Sequence, residues 1–283
     1  MARSTFYYHI RRIGQSDGYD DLRAHIRKIY DQHKGRYGYR RVTIELRDDG
    51  VIINHKTVRK LMVGMSLKAK RRNQHYRSYK GNVGKIAPNV INRNFCADAP
   101  NKKWATDVTQ VNIKDRKVFL SPILDMFNGE IISYAISYIP NMEMVQTMLK
   151  KAFNKNGDLS GLILHSDQGW QYQQRSYQDM LKEKGIIQSM SRKGNCLDNS
   201  MMENFFGIMK SELLYLREWK SVEEFVKELK AYIRYYNNNR IKLRLKGKSP
   251  VQYRTLYQIS SELIVQLLGC TSVPTVSFFK LTA

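Results

Sequence analysis

Apolar residues keep helical spacing in the early part of the chain and change to strand-like runs after Trp104. In Tyr19–His33, Leu22, Ile26 and Ile29 recur at helical spacing behind an acidic first turn, Asp20 and Asp21. A second helix runs through YGYRRVTIELRDDG, carried by Val42 and Leu46 and stopped by Gly50. Asn54 is a good N-cap for a third, NHKTVRKLMVGM, which turns Val58, Leu61 and Met62 inward. Its outer face carries Lys56, Arg59 and Lys60. A short helix, a glycine turn and a basic helix are compatible with a helix-turn-helix unit. The stretch Lys68–Lys85, KAKRRNQHYRSYKGNVGK, has no apolar period and reads as a basic linker with aromatic punctuation.

From Trp104 the runs KWATDVTQVNI, RKVFLSPILDMFNGEII and ISYAISYI are rich in Val, Ile, Phe and Tyr. The Asn128-Gly129 pair signals a hairpin, so three consecutive strands form a meander. NMEMVQTMLKKAFNKNG follows as a helix, with Met144, Met148 and Phe153 near one side as core rather than a cofactor box. GLILHSD is the fourth strand, QRSYQDMLKEKG a helix ending at Gly185, and GIIQSMS the fifth strand. A long helix, Asn199–Leu216, comes next. The order βββαβαβ predicts an α/β (α+β) domain, a mixed five-stranded sheet with helices packed on it.

Charge changes the picture most. The chain has 48 basic and 25 acidic residues, a formal net charge of +23. Residues 1–103 hold 24 basic and 8 acidic residues, and Lys56–Lys103 holds 13 basic residues and a single acid, Asp98. A field of that size and asymmetry attracts a polyanion, and nucleic acid is the partner it suits. No apolar run approaches the length of a membrane helix, and the N-terminus lacks the apolar stretch of a signal peptide. Three cysteines, Cys96, Cys196 and Cys270, match neither a disulfide framework nor a zinc pattern, which fits a reducing cytoplasm.

Three acids fall where such a sheet gathers its elements. Asp107 lies within the first strand, Asp167 at the end of the fourth, and Glu203 in the long helix. Asp107 and Asp167 are 60 positions apart, and 35 residues separate Asp167 from Glu203. On the helix, Glu203, Gly207 and Lys210 follow one another along the border of an apolar face made by Met202, Phe205, Phe206, Met209 and Leu213. A glycine there costs about 1 kcal/mol relative to alanine, which suggests close approach by something bulky. Three carboxylates without His or Cys at ligand spacing suit a hard divalent ion, Mg²⁺ or Mn²⁺. A pair of such ions supports in-line phosphoryl displacement, and a metal is what lets acids face a polyanion on so basic a protein. Asp125, in ILDMF, is a rival for the place given to Asp107.

The motifs WATDVT, HSDQGWQY and DNSMMENFFGIMKSE resemble the catalytic signature of bacterial insertion-sequence transposases encoded in two overlapping frames. The second-frame product of that family carries a retroviral-integrase-like DDE core. The 35-residue gap and the lysine seven positions past the glutamate fit its pattern. YGYRRVTIEL and NHKTVRKLM resemble the helical segment before the core, and YYNNNRIKLRLKGKSPVQYR the block after it, so the likeness covers residues 5 to 257. It implies a ribonuclease H-like fold, with Asp107, Asp167 and Glu203 as the catalytic and metal-binding triad. It also implies two Mg²⁺ or Mn²⁺ ions, nicking of double-stranded DNA at element ends, and strand transfer by the released 3′-hydroxyl. Lys210 carries over as a contact to terminal DNA. The implied partners are element-end and target DNA, further copies of the chain in a synapse, and an upstream-frame product that supplies a second helix-turn-helix and a coiled coil. The implied location is the cytoplasm, at the nucleoid.

This reading divides the chain into a helix-turn-helix-like DNA-binding domain (1–67), a basic linker (68–100), a catalytic core with a C-terminal helical block (101–260) and an apolar tail (261–283), a terminal strand or packing tail. Arg192 and Lys193, in the loop before the Glu203 helix, are phosphate candidates, and Arg240 joins a basic patch that is either a DNA face or a solvated one. His165 either assists at the site or fills the turn, and Trp170 and Tyr172 either stack on a base or pack the next helix. The competing functions are a non-catalytic DNA-binding regulator of the element and a plain ribonuclease H-like nuclease.

Overall fold

The computed structural model describes residues 3–12, 18–69, 86–192 and 196–268. Most of the expected basic linker, together with Lys193 and residues 269–283, therefore lies outside the described residues. The chain separates into two compact units, a helical one of Met1–Gln74 with Leu214–Leu216 and a larger one that holds every described strand.

The helical unit contains α1 (Arg3–Arg12), α2 (Asp20–Gln32), α3 (Tyr39–Asp48) and α4 (His55–Gly64). Ile26 and Ile29 of α2, Val42 and Leu46 of α3, and Val58, Leu61 and Met62 of α4 are buried, which is the apolar stripe of each helix closing on the others. Gly50 breaks the chain between α3 and α4 at φ +84°, where a side chain is disfavoured. Asn54 then caps α4, its side chain accepting from the Lys56 N–H at 2.8 Å. Lys56, Arg59 and Lys60 are all exposed on α4.

The larger unit is built on one sheet of β1 (Lys103–Thr106), β2 (Thr109–Ile113), β3 (Arg116–Asp125), β4 (Ile131–Ser137), β5 (Ile163–Ser166) and β6 (Ile187–Met190). Six segments replace the five expected strands because the first is interrupted at Asp107-Val108. Its register is unbroken: Thr106 faces Ile123 and Thr109 faces Leu120 of β3, three positions on in each strand. Leu120 and Ile123 also face Ile136 and Ser133, which places β4 on the other edge of β3. The lateral order is β4, β3, β1 with β2, β5, β6, antiparallel through the meander and parallel from β1 to β6. This is the ribonuclease H-like mixed sheet. The core beneath it joins Trp104, Ile123 and Leu164 of the strands to Val145, Met148 and Leu149 of α5 (Met142–Lys155) and Tyr177 and Leu181 of α6 (Arg175–Glu183). Met144 and Met148 are core residues, as their spacing indicated.

The Asn128-Gly129 hairpin forms, with Gly129 at φ +71°. Asn128 is buried there, its amide donating to the Pro250 carbonyl at 2.8 Å. The C-terminal block comprises α7 (Ser200–Glu212), α8 (Val222–Asn238) and α9 (Pro250–Leu268). α7 stops at Glu212 rather than continuing to Leu216, since Leu213 leaves helical geometry at φ −130° and ψ −63°. The tail expected from residue 261 begins inside α9, so residues 261–268 are helix and not a strand.

Candidate active site

The site is set by strand register. β1 and β5 are parallel, with Ala105 opposite His165, so Asp107 and Asp167 each lie two residues beyond a matched pair. Both carboxylates emerge at the same end of adjacent strands. Asp107 accepts the Val108 N–H at 2.7 Å, and Asp167 accepts the Gly169 N–H at 2.9 Å. A Cβ on Gly169 would stand 2.9 Å from Asp167 Oδ1, so the turn glycine makes room for the carboxylate. Burial pushes the Asp107 carboxyl well above the usual range, and the Asp167 charge adds to the rise. The Val108 N–H lowers it, Glu203 raises it further, and Lys210 pulls it down. Burial likewise raises Asp167 against the Gly169 hydrogen bond, and it raises Glu203.

α7 supplies the rest. Met202, Phe205, Phe206 and Met209 are buried, which turns half-buried Glu203 and Lys210 along the border toward Asp107. Burial lowers the Lys210 ammonium and the Asp107 charge raises it. A Cβ on Gly207, between them, would meet nothing within 4 Å among the described residues outside its own helix turn. No packing among the described residues explains that glycine, and the stripe is open to a ligand.

Among the described residues, no group of three or more His, Cys, Asp or Glu side chains is gathered as an ion cage. Asp107 and Asp167 nevertheless fit a hard divalent cation. They are oxygen donors whose proximity opposes double ionisation, and a cation between them relieves that penalty.

Asp198, not singled out from the sequence, organises the approach to α7. Its carboxylate is fully buried and accepts from Arg192 N at 3.0 Å, Arg192 Nε and Nη2 at 2.9 Å, Arg93 Nε at 2.9 Å and Asn89 Nδ2 at 3.1 Å. Those donors, the Arg192 side chain first, hold its pKa well below the carboxylate range. The phosphate candidate Arg192 thus commits its guanidinium fork to an internal carboxylate. His165 is buried, which lowers its pKa, and its Nε2–H donates to the Asp198 carbonyl at 2.9 Å. Its Nδ1 lies 2.9 Å from Ser189 Oγ, so it braces β5, β6 and the start of α7. Tyr172 is buried against Tyr177, with centroids 5.4 Å apart, and packs the next helix, while Trp170 is half exposed.

Asp198→Asn is expected to cost about 2 kcal/mol or more at neutral pH, the scale of hydrogen bonds to a charged group. A depressed folded-state pKa contributes stability above the unfolded value of 3.8 and loses it as pH falls through the folded one. The stability gap between wild type and variant, measured by urea unfolding, should therefore shrink toward acid pH. A constant gap would refute the ionic account.

Two sequence expectations change. Asp125 is no rival for the site: it is buried at the far end of the β1–β3 pairing, bonded by the Asn101 and Phe127 N–H groups and paired with Arg254. Arg240, expected in a basic patch, is 3% exposed and grips Glu212 through Nε at 2.8 Å and Nη2 at 2.6 Å. Its charge is spent inside the protein. Asn237 and Lys242 are also structural. Asn237 exchanges hydrogen bonds with the Ile131 backbone at 2.9 and 2.8 Å, and Lys242 donates to the Gly129 carbonyl at 3.0 Å.

The chain is similar to known proteins over most of its length. Residues 97–196 and 203–256 match two Integrase core domain families, and residues 19–75 match an HTH-like domain. A putative transposase, InsK, for insertion sequence element IS150 of Escherichia coli is 53% identical over 254 residues, 90% of each chain. The transposase for insertion sequence element IS904 of Lactococcus lactis is 37% identical, covering 82% of this chain and 92% of its own. Among solved structures, the HTLV-2 integrase catalytic core domain in complex with magnesium aligns over 56% of this chain and 98% of its own, at 19% identity and a TM-score of 0.43.

Proposed function

The chain belongs to the insertion-sequence transposases with an integrase core, and from that premise we propose that it nicks DNA at element ends in a Mg²⁺-dependent reaction and joins the freed 3′-hydroxyl to target DNA. The observation that carries the reading is the register that brings Asp107 and Asp167 to one end of adjacent strands, with Glu203 and Lys210 acting on the same carboxylate.

In the nicking step, water attacks phosphorus, the 3′-oxygen leaves as a hydroxyl, and the phosphate stays on the flanking 5′ end. In the joining step, that 3′-hydroxyl attacks a target phosphodiester and displaces the target strand's own 3′-oxygen. Neither step forms a bond to the protein. When bound, two Mg²⁺ or Mn²⁺ ions held by Asp107, Asp167 and Glu203 would polarise the phosphoryl oxygens and acidify the attacking hydroxyl. Asp107, whose carboxyl both Asp167 and Glu203 push upward, would be a donor to both ions, and Asp167 and Glu203 would each complete one site. Lys210 holds a phosphate of the terminal DNA beside the pair. The exposed cations of α4, Lys56, Arg59 and Lys60, bind duplex backbone. Residues 1–67 bind DNA, 68–100 connect, and 101–260 do chemistry. Copies of the chain meet in a synapse, the upstream-frame product supplies end recognition, and the protein works at the nucleoid.

Among the described residues no helix is long and apolar enough to cross a membrane. The test is a labelled element end and a target duplex, with the chain alone and fused to its upstream frame. Joined product that requires Mg²⁺ or Mn²⁺ supports the proposal. Binding without cleavage in any divalent metal leaves a regulator, and cleavage that never yields joined product leaves a nuclease.

A further inference from the structure

A groove of about 810 Å³ runs along the edge strand β4, walled by α5 and α8, two strands away from β1 and its carboxylate. Lys151 and Lys155 of α5 and Lys230 and Arg234 of α8 line it. A second lobe of about 520 Å³ shares Lys230 and Arg234 and adds Lys227. All five cations are exposed. Lys227, Lys230 and Arg234 recur at i, i+3 and i+7, so they form one row along α8 at axial steps of about 4.5 and 6 Å. Lys151 and Lys155, one turn apart, face that row from α5.

Little inside the protein neutralises them. Lys155 pairs with Glu130 at 3.2 Å, and Glu223, in the second lobe, faces Arg116 at 3.5 Å. Among the described residues Lys151, Lys227 and Lys230 have no salt bridge. The floor is suited to a backbone rather than a protein strand. Asn237 already occupies the hydrogen-bonding groups of Ile131 at the start of β4, which blunts the edge against strand addition. Tyr134 and Tyr138 add polar-tipped rings.

We propose that this groove binds the phosphate backbone of a DNA segment other than the one at the carboxylates, without reading its sequence. Two rows of cations across a cleft, of which only Lys155 has an acidic partner among the described residues, match a chain of phosphates, and they would repel the same face of a second copy. The inference rests on the DNA-joining reading above, since a joining enzyme must hold two DNA segments at once.

The test is binding of a random-sequence duplex to the full chain by fluorescence anisotropy across a salt series. Lys151→Ala/Lys227→Ala/Lys230→Ala is compared with the same three positions changed to Arg. Each phosphate contact contributes about 0.9 to the slope of log affinity against log salt. The alanine variant should lose between about two and three from that slope and at least about tenfold in affinity at moderate salt, with an unchanged melting temperature. The arginine variant should keep both. Equal binding by wild type and alanine variant overturns the groove, and so does equal loss in the arginine variant. A variant that changes its mass in solution instead of its DNA affinity marks the face as an interface between copies and also overturns it. If the wild type itself binds no duplex in a salt-dependent way, the DNA-joining reading fails as well, which separates the two failures.

Discussion

Asp107→Asn is expected to abolish nicking and joining and, in the same preparation, to raise the melting temperature of the metal-free protein. The first effect follows from the metal-holding role proposed for Asp107. Metal-borne charge stabilisation is worth several kcal/mol in a phosphoryl transition state, and about 4 kcal/mol corresponds to roughly 10³-fold in rate. The second follows from the cost of holding two carboxylates together. Burial first, and then the Asp167 charge, raise the Asp107 carboxyl well above 3.8. A carboxyl whose folded pKa is raised binds more protons folded than unfolded between the two values, so its penalty is absent at acid pH and grows as pH rises through that window. The variant carries no such penalty. Its advantage in melting temperature should appear above pH 4 or so and level off once the wild-type carboxyl is ionised. Mg²⁺ should raise the wild-type melting temperature and leave the variant nearly unmoved. A wild type that melts above the variant at every pH without metal would mean that the pair is not a stored electrostatic cost. Activity retained in Asp107→Asn would remove the carboxylate from the chemistry altogether.

What the sequence disclosed and what it concealed divide along a physical line. Periodicity and turn residues locate elements, and the larger unit follows them closely. The meander and the strand in GLILHSD stand where the pattern put them, and the helix of Glu203 forms there but ends at Glu212. The one added break, at Asp107-Val108, comes where the first carboxylate turns its side chain onto the next N–H, and a run of β-formers carries no mark of that. Charge is read less well, because a sequence shows a cation and not its partner. Arg192 and Arg240 looked available for phosphate. One is held by Asp198, six residues on, and the other by Glu212, 28 residues back. Asp198 drew no notice in the sequence, because its role as an acceptor for Arg93 and Asn89 depends on a segment more than 100 positions away. The exposed cations of α5 and α8 escaped notice for the converse reason. Nothing in KK or in VKELKAYIR distinguishes a groove wall from a solvated helix face until β4 is laid between them.

Arg240→Ala should be the most destabilising single substitution in the C-terminal block. Arg240 and Glu212 are both nearly buried, joined by two hydrogen bonds, and the Tyr232 hydroxyl donates at 3.1 Å to Glu212 Oε2, the oxygen that also accepts from Arg240 Nε. Removing one partner leaves an uncompensated charge in a site that water does not reach, which costs about 3 to 5 kcal/mol. Replacing both, as Arg240→Met/Glu212→Leu, removes the desolvation penalty together with the attraction and should cost far less than the single change. Arg240→Lys keeps the charge but cannot form the two-pronged contact, so it should fall between them. The pair clamps the end of α7 to the end of α8, and Glu203 and Lys210 lie on α7. The single variant should therefore lose joining activity at temperatures where it is still mostly folded. Urea unfolding with an unchanged slope measures the stability loss, and duplex binding at low temperature separates it from a DNA contact. A loss below about 1 kcal/mol with weakened, less salt-dependent DNA binding would return Arg240 to the DNA face where its sequence first placed it.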